Sequence, residues 1–273
     1  MSGDIPEIHP LIQIAGADGW RLALPHDRAE HLLIWIARAQ GSAVLDGQRV
    51  GISANTALFV PAGTLLALEA GPQLYGTAVI LPEAAAIALP ADPYRLRVPA
   101  VQAQAELAAL FEAMAREQRT ARGETARDFH GAAARAHATL IAIWLRRALV
   151  DAPAPPALRA DQRLARGFCR LVVRDYRSGK PMAAYAEALG VTPSHLTRSC
   201  KTATGHGAAD LLTRRSLHEA RRLLADTGHP VGRIANHLGF GSAAYFTRFI
   251  QNHTGRTPTG LRAAAAARRG ARP

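Results

Sequence analysis

Arg198 and Arg248 stand about fifty residues apart, each one turn into a short segment that opens on a small polar residue and closes at a glycine. A guanidinium so placed grips the O6/N7 edge of guanine with two hydrogen bonds, or clamps a phosphate. The surroundings repeat with it. The first copy runs Tyr185 to Val191, then Thr192-Pro193-Ser194-His195-Leu196-Thr197-Arg198, and closes at Gly205. The second runs Ile234 to Phe240, then Gly241-Ser242-Ala243-Ala244-Tyr245-Phe246-Thr247-Arg248, and closes at Gly255. Each reads as a helix ending at glycine, a tight turn, and a second helix: the outline of a helix-turn-helix.

Thr192 and Ser242 are the expected N-caps, and Pro193 suits the first helical position, where a missing N–H is harmless. In the first reading helix, Ser194, His195, Thr197, Arg198 and Lys201 then point forward, with Leu196 and Cys200 packed inward. In the second, Ala243, Ala244, Thr247 and Arg248 point out beside the capping Ser242, and Phe246 and Ile250 point in. The alternative for each arginine is a surface residue with a local salt bridge.

Charge follows the repeat. Residues 1–150 carry 13 Arg, no Lys and 14 acids, a balance of −1, whereas 151–273 carry 20 Lys plus Arg against 7 acids, a balance of +13. Such a half binds polyanions by releasing their condensed counterions. A solvated basic face or a membrane-surface patch is the bland alternative. Cys169 and Cys200 read as small buried hydrophobes in a reducing cytoplasm, not as a disulfide or metal pair. No apolar run reaches the ~20 residues of a membrane span, so a cytoplasmic protein is expected.

The elements that must carry these residues are legible in outline. Residues 1–16 read as a loose arm. Apolar runs at Leu32–Ile36, Ser42–Leu45, Ala57–Val60, Leu65–Leu68 and Leu74–Leu81 are broken by turn signals such as Asp46-Gly47 and Pro61-Ala62-Gly63, which predicts a small barrel or sandwich. After Pro99 the period turns helical. Leu107, Leu110, Phe111 and Met114 share one face, and Ala133, Ala136, Leu140, Ile141, Trp144 and Leu145 another. These two helices either cover the barrel or form a dimer contact. Asp151 to Pro156 reads as a proline-rich linker. Between the two motifs, Leu211, Leu212, Leu217, Ala220, Leu223 and Leu224 mark the apolar stripe of a long helix, with Arg214, Arg215, Arg221 and Arg222 on its other faces. A helix over residues 208–227 spans roughly 30 Å, close to one turn of B-DNA, about 34 Å.

Residues 161 to 262 resemble the DNA-binding domain of the AraC family of bacterial transcription regulators. The resemblance rests on Ile234-Ala235-x-x-Leu238-Gly239-Phe240-x-Ser242-x-x-Tyr245-Phe246-x-Arg248, continuing through Gly255-Arg256-Thr257-Pro258 to Arg262. It implies seven helices, two helix-turn-helix units on a rigid helix, and groove-facing sites at Ser194, Thr197, Arg198, Ala243, Ala244, Thr247 and Arg248. Where the family usually has Phe-Lys, this chain has Cys200-Lys201 and Ile250-Gln251. The first copy keeps the phosphate-binding lysine and the second loses it.

The front half is similar to the cupin-like sensing barrel of many family members. The expected fold is therefore α+β and two-domain: a cupin-like β-barrel over 1–97, a helical pair over 98–150, a linker over 151–160, an all-α double helix-turn-helix domain over 161–262, and a basic tail over 263–273. Enzymatic cupins bind a metal through a histidine three residues after such a Pro-x-Gly, where this chain has Leu66. No metal, cofactor or catalytic residue is therefore expected. Trp20, His31, Trp35, Phe59 and Tyr75 are the candidate lining of an effector pocket, although such residues more often serve as core packing than as ligand contacts. The wording of the first motif is similar to regulators that respond to hydroxylated aromatic acids. The expected partners are promoter DNA, a small-molecule effector such as an aromatic acid, a second copy of the chain, and RNA polymerase. A cupin-type metalloenzyme with a DNA-binding appendage, and a non-specific architectural DNA-binding protein, are the alternatives.

Overall fold

The computed structural model describes residues 4–16, 18–71, 73–120, 127–153 and 156–270. The chain forms two compact units: residues up to Ala23 with Asp27–Leu158, and Leu24–His26 with the residues from Arg159 on.

The first unit holds two antiparallel sheets. Strands β1 (Glu7–Pro10), β2 (His31–Arg38), β5 (Thr56–Val60), β7 (Tyr75–Leu81) and β8 (Tyr94–Arg97) make one, in the order β1-β7-β2-β5-β8. Strands β3 (Gly41–Leu45), β4 (Gln48–Ile52) and β6 (Leu66–Ala70) make the other, in the order β4-β3-β6. The hairpin at Asp46-Gly47 forms as its residues require, with φ of 46° and 80° and Leu45 paired to Gln48. The two sheets match the expected sandwich or barrel, and among the described residues no ladder joins them.

The expected loose arm is ordered across its described residues, 4–16. It supplies edge strand β1, paired to β7 from Glu7↔Ile80 to Pro10↔Thr77, and the short helix α1 (Leu11–Ala15). The helix α2 (Trp20–Ala23) follows. Strands of four residues containing proline or arginine carry too little alternation to be recognised, which is also why β8 escaped sequence reading.

Two apolar layers result. Leu32, Ile34, Ile36, Leu58 and Val60 pack with Ala43, Leu45, Ile52, Leu66 and Leu68, side chains from both sheets. On the opposite face of the larger sheet, Leu33, Phe59 and Val79 pack with Leu107, Phe111 and Met114 of α3 (Val101–Thr120) and with Ile141, Trp144 and Leu145 of α4 (Arg127–Val150). Each large apolar side chain buried this way contributes about 1.5–3 kcal/mol. Polar clamps align the layer. The Gln118 amide accepts from Ile8 N–H (2.8 Å) and donates to Ile8 C=O (3.0 Å), and Trp144 Nε1–H donates to Ala103 C=O (3.2 Å). Both helices therefore cover the sheet. However, Leu140 and Ala136, expected on the same face as Ile141, are exposed. Helix α4 is apolar on two sides, and periodicity alone merged its two stripes.

Among the described residues the second unit contains seven helices: α5 (Ala160–Asp175), α6 (Met182–Ala188), α7 (Pro193–Thr204), α8 (Ala208–Asp226), α9 (Val231–His237), α10 (Ala243–Thr254) and α11 (Pro258–Gly270). Nineteen residues make α8 about 28 Å long. The expected basic tail from Ala263 is helical as far as Gly270, and residues 271–273 lie outside the described residues. Of the expected linker, Ala154 and Pro155 also lie outside them.

Candidate nucleic-acid interface

The two copies agree down to individual hydrogen bonds. After α6, Gly190 (φ 67°) closes on Glu187 C=O at 2.9 Å, and Val191 N–H donates to Ala186 C=O at 3.0 Å. After α9, Gly239 (φ 76°) closes on Asn236 C=O at 3.1 Å, and Phe240 N–H donates to Ala235 C=O at 3.0 Å. Each reading helix then starts on its expected cap. Thr192 Oγ1 accepts from His195 N–H (3.3 Å), with Pro193 at the first turn, and Ser242 Oγ accepts from Tyr245 N–H (3.1 Å). Both helices end on a left-handed glycine, Gly205 (φ 84°) and Gly255 (φ 68°). One residue before it, Thr204 Oγ1 donates to Cys200 C=O (2.8 Å), and Thr254 Oγ1 donates to Ile250 C=O (2.7 Å).

Burial divides each reading helix in two. Leu196 and Cys200 in α7, and Phe246 and Ile250 in α10, are fully buried. Burial pushes the Cys200 thiol up to about 12, so it packs as a neutral hydrophobe. Ser194, His195, Thr197, Arg198 and Lys201 are exposed together on α7, and an open hollow of about 550 Å³ runs along Pro193, Ser194, Thr197, Arg198, Lys201 and Thr202. On α10, Ala243, Ala244 and Arg248 are exposed beside the capping Ser242, and Thr247 is half-buried. Gln251 occupies the place of Lys201 and is exposed.

Sequence reading missed Tyr245. It occupies the place of His195 and is 57 % exposed, with its ring 5.8 Å from that of Phe240. Its apolar character hid it, and the fifty-residue register between the copies was the signal that would have found it. A second omission lies on α8. Arg215, assigned to an outer face, is 3 % exposed and sits 3.8 Å over the Tyr176 ring. Glu219, buried at 3 %, accepts two hydrogen bonds from Arg222, at 3.0 and 2.8 Å. Burial pushes the Glu219 carboxyl up, but the bonds and charge of Arg222, with the charges of Arg215 and Arg177, outweigh it and hold the carboxyl below its ordinary value. Nearby, Asp175 accepts from Arg174 (2.8 Å twice) and Lys180 (2.9 Å), and these bonds hold it well below the usual carboxylate range.

Of the five candidate pocket residues, His31, Trp35 and Phe59 gather on the helix-covered face of the larger sheet, and Trp20 and Tyr75 are not among the residues packed there. Alternation along β2 turns Trp35, like Leu33, toward the helix-covered layer, and Phe59 lies fully buried in that layer. His31 stacks on Phe59 (ring centroids 6.1 Å apart), and its Nδ1 accepts from Ala62 N–H at 3.2 Å. Burial lowers its pKa, against the opposing pull of Glu83, which fits that accepting role. Trp20 is half-buried in α2 under the Arg21 guanidinium, 4.9 Å from its ring, and Tyr75 is 66 % exposed at the start of β7. Leu66, at the position of the cupin metal histidine, is buried in the apolar layer between the sheets.

A family model described as a helix-turn-helix domain matches residues 185–264, which run from α6 into α11. No curated protein matches the chain. Several solved structures are distantly similar. The C-terminal domain of the response regulator AraT from Geobacillus stearothermophilus is 26% identical, over 40% of this chain and 88% of that one, with a TM-score of 0.36. The C-terminal domain of the two-component response regulator yesN from Fusobacterium nucleatum is 23% identical, over 35% and 93%, with a TM-score of 0.34. The unsaturated fatty acid-bound ToxT from Vibrio cholerae is 11% identical over 93% of both chains, with a TM-score of 0.40. No helix among the described residues is long and apolar enough to cross a membrane. The matched domain, the duplicated turns and the paired exposed arginines agree: the chain carries a helix-turn-helix domain of the DNA-binding kind.

Proposed function

We propose that one chain reads an extended promoter site, with α7 and α10 entering successive major grooves on one side of the duplex. The observation that carries this reading is the duplication of the two heads, hydrogen bond for hydrogen bond, on either side of a single helix of about 28 Å. The heads are unequal. Helix α7 offers Ser194, Thr197, Arg198 and Lys201, whereas α10 opens with two alanines and has Gln251 in place of the lysine. Base discrimination therefore falls mainly to α7, and α10 contributes methyl contact, Arg248 and backbone grip.

Arg198→Ala is expected to cost about 1–3 kcal/mol at the preferred duplex and to relax the sequence preference at one position. Competition binding with single-base variants of that duplex reads both effects. Equal weakening on every duplex would make Arg198 a phosphate clamp and return discrimination to α10.

For the N-terminal unit, the features favour pairing with a second copy. Phe129, Ala133, Ala136, Leu140, Ile143, Arg147 and Val150 follow one another on α4 at alternating steps of four and three residues. That is the spacing of a coiled-coil seam. Phe129, Leu140, Ile143 and Val150 are exposed, while Ile141, Trp144 and Leu145 hold the helix to the sheet. Ile143→Asp is expected to convert a dimer to monomer in sedimentation equilibrium without loss of helical circular dichroism. An unchanged mass would remove α4 from the assembly. Small-molecule sensing, with an aromatic acid among the ligand classes, and contact with RNA polymerase remain parts of the proposed regulator. Among the candidate lining residues, the grouping of His31, Trp35 and Phe59 on one face supports that side of the larger sheet as the place for such a ligand.

A further inference from the structure

The loop after α5 ties three elements of the DNA-binding unit together. Tyr176 and Arg177 follow directly on α5. Arg177 Nε donates to the Tyr176 hydroxyl (2.7 Å), its guanidinium lies 4.9 Å from the Tyr176 ring, and its Nη2 donates to Glu219 Oε1 on α8 (3.3 Å). Its own carbonyl faces the turn of the second reading unit. A Cβ on Gly239 would stand 2.5 Å from Arg177 O, and a Cβ on Gly179 would stand 3.0 Å from Gly239 O. One short loop therefore touches the end of α5, the joining helix and the second turn.

Charge explains why the buried carboxylate is the keystone. Two guanidinium groups, those of Arg177 and Arg215, share the Tyr176 ring, and Arg222 lies beside them. Three cations this close repel one another, most at the buried Arg215, and the Glu219 carboxylate among them offsets that repulsion. Arg215 and Arg222 sit on the same helix as Glu219, four residues before it and three after, so their pairs stiffen α8 alone. The Arg177 pair spans 42 residues of sequence and joins separate elements.

We propose that Glu219, acting through Arg177, is a positioning residue that sets the phase between the two reading helices, and hence the half-site spacing the domain accepts. This rests on the reading above that α7 and α10 occupy successive grooves. A single inserted base pair turns one half-site by about a tenth of a helical turn relative to the other. A rigidly phased pair of heads resists that turn, and a loosened pair follows it.

The test uses the full chain and a duplex that it selects from random DNA, with derivatives carrying one base pair more or fewer between the halves. The wild-type protein is expected to bind the respaced duplexes about tenfold or more weaker, the scale of coupling between two sites on one body. Glu219→Gln and Arg177→Met are expected to flatten that ratio toward one, while binding to a duplex with only the first half-site stays unchanged. Arg177→Lys, which retains the charge, is expected to recover part of the ratio. Folded variants that keep the wild-type ratio overturn the proposal. So does parallel loss on full and half sites, which marks a merely structural role. If Glu219→Gln fails to fold, Arg177→Met decides, because the Arg177 side chain is 47% exposed and removes no core. A wild-type protein indifferent to spacing sinks the phase proposal but leaves the Arg198 reading standing. Failure to select any sequence removes both.

Discussion

Gly239→Ala is expected to lower the melting temperature of the DNA-binding unit far more than Gly190→Ala, although the two glycines occupy the same place in the two copies. Both have left-handed backbones, with φ of 76° and 67°, where a side chain costs about 1–2 kcal/mol. Their neighbours differ. A Cβ at Gly190 meets nothing within 4 Å, whereas one at Gly239 meets Arg177 O at 2.5 Å and Gly179 N at 2.8 Å. Backbone atoms cannot rotate aside as a side-chain end can, so the loop or the turn must move. Overpacking of this kind adds about 1–3 kcal/mol. At roughly 4–8 °C per kcal/mol for a domain of this size, Gly190→Ala should shift the transition modestly and Gly239→Ala by two to three times as much. Calorimetry of the two variants measures the difference. Equal shifts would mean that the contact between the Arg177 loop and the second turn is not tight in solution.

Affinity for the preferred duplex is expected to fall about a thousandfold between 50 and 200 mM monovalent salt, the loss that follows from about six neutralised phosphates. The source is the balance of 20 Lys plus Arg against 7 acids in residues 151–273, with Arg198, Lys201 and Arg248 exposed on the face proposed to meet DNA. Residues 1–150, at 13 Arg against 14 acids, add no such dependence. A plot of log affinity against log salt gives the number of ions released. A slope of one or two would leave too few phosphate contacts for two grooves and would confine binding to a single head. Binding to random duplex should show a similar slope at lower affinity, since the ionic part carries no sequence information.

The reading heads were legible because everything that shapes them is local. A cap hydroxyl reaches the N–H three residues on, a left-handed glycine ends the helix, and an apolar residue every third or fourth position turns one face inward. Thr192, Ser242, Gly205, Gly255, Leu196 and Phe246 fulfil those roles in the structure. Less was legible where a segment has two apolar neighbours. In β2, Leu32-Leu33-Ile34-Trp35-Ile36 is apolar at every position because the second sheet covers one face and two helices cover the other. Alternation is then absent, and nothing in the order of residues says which face holds Trp35. The same ambiguity merged the two stripes of α4.

Glu219 and Arg215 failed to show for a different reason. A glutamate with arginines four residues before and three after is what an exposed, salt-bridged helix face looks like. Only the arrival of Tyr176 and Arg177 from the end of α5 closes that face from water.

Sequence alone determined the class of partner and the face proposed to meet it: a duplicated head, a basic half, and an exposed arginine in each copy. Hydrogen bonds within a single turn and charge balance require no knowledge of distant neighbours. The tertiary structure decided which residues join the heads to one another, since Arg177, Glu219 and Gly239 are separated by 42 and 20 residues of chain and meet only when the helices pack. It also decided which side of each sheet and helix is left to face a partner. Those choices depend on what covers each face, and coverage is a property of the packed chain.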